Sequence, residues 1–98
     1  GNPAQLKPAQ DALVAAELAK LSGGALKLAE RARLLAETDP RLACHLVEFA
    51  VHAEPKNKAV HQVRAEVYQY RRTTETSLMA KGIFGSAANQ SRQISENE

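Results

Sequence analysis

Three interruptions divide this chain more strongly than any other feature of it: Ser22-Gly23-Gly24, Asp39-Pro40 and Glu54-Pro55-Lys56-Asn57. The glycine pair ends one helical segment, and Asp39-Pro40 starts another. Asp accepts bonds from the free N–H groups of a new helix, while Pro in its first turn has no N–H needing a partner. Pro55 disfavours helical geometry at Glu54, and Asn57 is suited to cap a new helix beginning at Lys58. Ala and Leu dominate the apolar residues between these breaks, aromatic residues make up 4% of the chain, and β-branched residues are sparse outside Val47 to Val67. That mixture favours helices over strands. The expectation is an all-α fold of about five helices in antiparallel hairpins.

The first helical signal begins at Pro8 and runs through Asp11, Leu13, Val14, Glu17, Leu18 and Leu21. The second, Ala25 to Glu37, places Leu28, Ala32 and Leu35 on one face, with Ala29 and Ala36 beside them and Glu30, Arg31 and Arg33 outside. In the third, Leu42, Leu46, Phe49 and Ala53 recur at helical spacing beside a second row of Ala43, Val47 and Ala50, so this helix is expected to be central and the most buried. A fourth helix is expected from Lys58 to Arg72, with Val60, Val63, Val67 and Tyr70 inside and Arg64, Glu66, Arg71 and Arg72 solvated. A break at Thr73 to Thr76 then separates a fifth segment carrying Leu78, Met79, Ile83 and Phe84. Gly82 and Gly85 each cost that segment about 1 kcal/mol of helix propensity relative to Ala. Residues 89–98 are polar and read as a frayed tail, which sets the expected folded domain at 1–88.

Ninety-eight residues with 44% apolar content suit one modest core, and a net charge of +2 spread along the chain offers no concentrated field for a polyanion. Neither nucleic acid nor a membrane span is implied. The start lacks the pattern of a signal peptide and the only methionine is Met79, so the chain reads as a piece of something longer. His45, Glu48 and His52 share one strip of helix three and invite a metal reading. Two histidines seven residues apart, however, sit about 10 Å apart along a helix axis, too far for one ion. Cys44 and His45 point about 100° apart, which argues against a thiolate and base pair, and Cys44 reads as a buried thiol. Tyr68, Tyr70, Arg71 and Arg72 mix basic and aromatic character without the extended stripe of a nucleic-acid surface. No catalytic, cofactor-binding or metal residue is therefore expected.

Ala43, Ala50 and Pro55 have the spacing of the second helix of a tetratricopeptide repeat, where small residues let helices approach closely and Pro closes the hairpin. The expected arrangement is a TPR-like right-handed stack. Taken in order, Gly1-Asn2-Pro3, Leu6-Lys7-Pro8, Leu21-Ser22-Gly23-Gly24, Ala36 to Leu46 with Asp39 in the turn, and Ala53-Glu54-Pro55-Lys56-Asn57 ahead of Arg64-Ala65-Glu66 resemble the helical dimerisation domain of alkyl sulfatases and related metallo-β-lactamase superfamily hydrolases.

The resemblance implies a homodimer. It also implies a parent enzyme whose catalytic domain, in the same chain, binds two zinc ions through a His-x-His-x-Asp-His type motif absent from this sequence. Ser77 to Phe84 depart from the Arg-Asn-aromatic run that sulfatases tend to show there, which leaves the substrate open between a sulfate ester and that of another superfamily member. The candidate protein interface is Tyr70, Leu78, Met79, Ile83 and Phe84, because five short helices have limited inner surface for these side chains. The competing reading is a free-standing TPR-like adaptor gripping a peptide between hairpins.

Overall fold

In a computed structural model, which describes residues 2–7 and 9–97, a short 3-10 turn at Pro3–Gln5 precedes five α-helices. These are α1 (Asp11–Ser22), α2 (Ala25–Leu35), α3 (Pro40–Ala53), α4 (Lys58–Thr73) and α5 (Leu78–Glu96). No strand occurs among the described residues. The expected helix start at Pro8 lies outside the described residues; α1 itself begins at Asp11 after an extended Gln10.

Each boundary has its origin in local chemistry. Gly23 takes φ 92°, and the N–H groups of Gly23 and Gly24 donate to the carbonyls of Lys20 and Ala19, closing α1 with the paired bonds of a Schellman turn. Asp39 Oδ1 accepts from the Leu42 N–H at 3.1 Å, and Asn57 Oδ1 accepts from the Val60 N–H at 3.1 Å. Ser77 Oγ caps α5 through the Ala80 N–H at 3.3 Å. The break expected after Arg72 is therefore real, and Ser77 is its start signal.

The molecule is a slab of 37 × 36 × 22 Å. α3 touches α1, α2 and α4, while α4 touches α2, α3 and α5. The core is built from small side chains: Ala25, Ala29 and Ala32 on α2, Ala43, Val47 and Ala50 on α3, and Val60, Val63 and Val67 on α4. Such residues let helix backbones approach closely, while each contact buries little apolar area. Among the described residues, no helix is long and apolar enough to cross a membrane.

Three expectations change. α4, with six buried residues including His61 and Tyr68, is more deeply embedded than α3, whose row of Leu42, Leu46 and Phe49 sits at the rim while its small-residue row is buried. Arg64 and Arg71 are largely enclosed, with side chains 11% and 15% exposed, instead of solvated. The polar tail is not frayed: residues 89–96 continue α5, because Ala88 and Ser91 are fully buried on α5's packed side.

Candidate interaction surface

α5 packs lengthwise on α4, and its backbone approaches no other helix. What fixes it there is a polar joint centred on Arg64. The guanidinium donates to Glu48 on α3 from Nη2 at 3.0 Å and from Nε at 3.2 Å and 3.3 Å. On the other side Nη1 donates to α5, reaching Ser91 Oγ at 2.8 Å and the Ala87 carbonyl at 3.1 Å. Its central carbon lies 5.0 Å from the centroid of the Tyr68 ring, whose hydroxyl donates to Glu48 at 3.1 Å. Burial, reinforced by the Glu48 carboxylate, pushes the Tyr68 phenol well above its ordinary range.

The joint continues inward. His61 Nε2 lies 2.7 Å from the Pro55 carbonyl, which only accepts, so Nε2 carries the proton in this bond. Nδ1, 2.9 Å from Ser91 Oγ, then accepts the hydroxyl hydrogen while that oxygen accepts from Arg64. One arginine thus ties α3, α4 and α5 together, and no buried side-chain polar atom among the described residues lacks a partner. Sequence reasoning did not single out His61 or Ser91. Their signal was spacing: Ser91 lies seven residues after Phe84 and three after Ala88, on one helical stripe.

With its inner side docked, α5 turns the opposite side outward. Leu78, Met79 and Ile83 are 86%, 77% and 62% exposed. The start of the helix is held firmly for so exposed a patch. Glu75 Oε1 accepts from the backbone N–H groups of Thr76 and Ser77, which is the main reason its carboxyl titrates below the usual range, and Arg71 adds an ion pair at 3.6 Å. The other two candidates face elsewhere. Phe84 is half-buried against Tyr68, ring centroids 5.9 Å apart, beneath the Arg71 guanidinium. Tyr70 lies between two shallow grooves, one of about 690 Å³ along α4 and the end of α5, the other against α2. Leu13, Val14 and Leu21 form a second exposed apolar strip on α1.

The residues weighed for metal or thiol chemistry do not converge on a common point. His45, Glu48 and His52 line a small cleft of about 190 Å³ with Asp11 and Phe49. Glu48 is turned to Arg64 and Tyr68, and His52 Nδ1 bonds the Glu48 carbonyl at 2.8 Å. Among the described residues no group of three or more His, Cys, Asp or Glu side chains is placed to hold a metal ion. Cys44 is half-buried, and burial raises its thiol above the ordinary value.

A family model described as alkyl sulfatase dimerisation matches residues 1–94. No curated protein and no solved structure matches the chain. The matched stretch runs from the 3-10 turn through the buried turns of α5 that Arg64 secures, and on that extent the chain belongs to the alkyl sulfatase dimerisation family.

Proposed function

We propose that this chain pairs two copies of a larger metal-dependent hydrolase of the metallo-β-lactamase type, similar to alkyl sulfatases, through a surface that includes Leu78, Met79 and Ile83. The observation that carries the reading is the family match over residues 1–94. The exposed apolar patch on the first two turns of α5 supports it, since side chains of this kind are stabilised by leaving water. Zinc and the catalytic residues belong, on this reading, to another domain of the same chain. The residues described here do not fit a metal pair, and no catalytic step is assigned to them.

Sedimentation equilibrium of the 98-residue chain tests the pairing: a dimer at micromolar concentration is expected, and a monomer at every concentration overturns it. Sequencing the coding region upstream of Gly1 tests the parent enzyme. A His-x-His-x-Asp-His motif in the same reading frame is expected; its absence leaves dimerisation standing and removes the hydrolase.

A further inference from the structure

Among the described residues, nothing in a single copy of this chain requires glycine at position 82. It sits in the second turn of α5, where glycine is the least helix-favouring residue apart from proline. Its φ is not positive, the positive-φ glycines being Gly23 and Gly24. A Cβ built on it meets nothing within 4 Å, whereas at Gly85 it would come within 3.2 Å of Arg72. What a glycine at this exposed position permits is close approach by another backbone.

The surroundings of Gly82 say what that is. Met79, Gly82, Ser86, Asn89 and Gln93 recur at alternating spacings of three and four, all exposed, forming one line along the outer side of α5. Ile83 flanks it. This line carries no charge over four turns, although exposed helix faces ordinarily do. At a two-fold axis a charged residue meets its own symmetry mate and is repelled, whereas an amide or hydroxyl is both donor and acceptor and can bond its mate or any polar residue it meets. Two small residues four apart, Gly82 and Ser86, also let two helix axes come close. The face is complementary to itself.

We infer that α5 crosses α5 of a second copy about a two-fold axis, with Gly82 and Ser86 at the point of closest approach and Met79 and Ile83 packed around it. This rests on the homodimer reading above and specifies its contact.

Gly82→Ala tests the crossing without threatening the fold, because the added methyl group enters open space in one copy and favours the helix. Sedimentation equilibrium is run on the wild-type chain, Gly82→Ala and Leu21→Glu, the last altering the rival apolar strip on α1, with helix content checked by circular dichroism. The expected result is a wild-type dimer whose dissociation constant rises about ten-fold or more in Gly82→Ala, two methyl groups being forced into one close contact, and is unmoved by Leu21→Glu. A wild-type dimer that Gly82→Ala leaves unchanged overturns the crossing and keeps the dimer. A monomeric wild type overturns the dimer reading itself.

Discussion

Replacing Arg64 by Met keeps an unbranched apolar stem in the joint while removing the guanidinium, with every hydrogen bond it donates and its place over Tyr68. Four groups lose a partner at once: the Glu48 carboxylate, the Ser91 hydroxyl, the Ala87 carbonyl and the exposed Gln90 side-chain carbonyl. Breaking a buried ion pair by removing one member costs about 3–5 kcal/mol. Glu48 is roughly one-third exposed, at 34%, so water replaces part of what it loses. The expected loss is therefore about 2–4 kcal/mol, a large share of the roughly 5–15 kcal/mol that holds a domain together. Tm should fall by about 8–32 °C, at roughly 4–8 °C per kcal/mol for a chain near this size. Urea unfolding followed by circular dichroism at pH 7 measures it, at one fixed protein concentration because pairing would add concentration-dependent stability. Since α5 has only α4 to pack on, hydrogen exchange should rise first in α5 amides and later in α2 and α3. A loss below about 1 kcal/mol, within what a solvated helix arginine gives up, refutes the joint; so does uniform exchange across all five helices.

Local geometry sets three further outcomes. The Glu75 carboxyl is lowered in the folded chain, so its bonds to Thr76 and Ser77 contribute fully above the ordinary glutamate value of about 4.3 and are lost as pH falls through the lower folded value. An NMR titration of the Thr76 and Ser77 amides should show a midpoint below about 4.3, and a midpoint at or above it refutes the capping role. Cys44, raised by burial, should be alkylated by iodoacetamide with a pH midpoint above the ordinary thiol range, returning to that range in denaturant; equal midpoints refute the burial. Gly23→Ala forces a side chain to φ 92° and should cost about 1 kcal/mol in urea unfolding, with Gly23→Asn costing less; a neutral Gly23→Ala refutes the turn.

Helix number, their order and three of their boundaries were legible because each depends on residues a few positions apart: Asp39 ahead of Pro40, Asn57 ahead of Lys58, and glycines after Ser22. The core rows on α2 and α3 were legible for the same reason, through their period. What escaped was the meaning of polar residues on apolar stripes. Val60, Arg64, Val67 and Arg71 fall on one face of α4, as Phe84, Ala88, Ser91 and Ser95 do on α5, yet composition alone counts arginine and serine as solvent-facing. A charge can occupy an inner stripe only where another element supplies its partner, and the partner of Arg64 is Glu48, 16 residues earlier on a different helix. That pairing is decided by tertiary packing, beyond the reach of local period. The same blindness misplaced the end of the fold at residue 88, since Ser91 tolerates burial only through His61 and Arg64. A glycine inside an apolar patch reverses the problem: Gly82 reads as a helix weakness in the sequence and has open space beside it in one folded copy, and the reason for it is the one the proposed α5 crossing supplies.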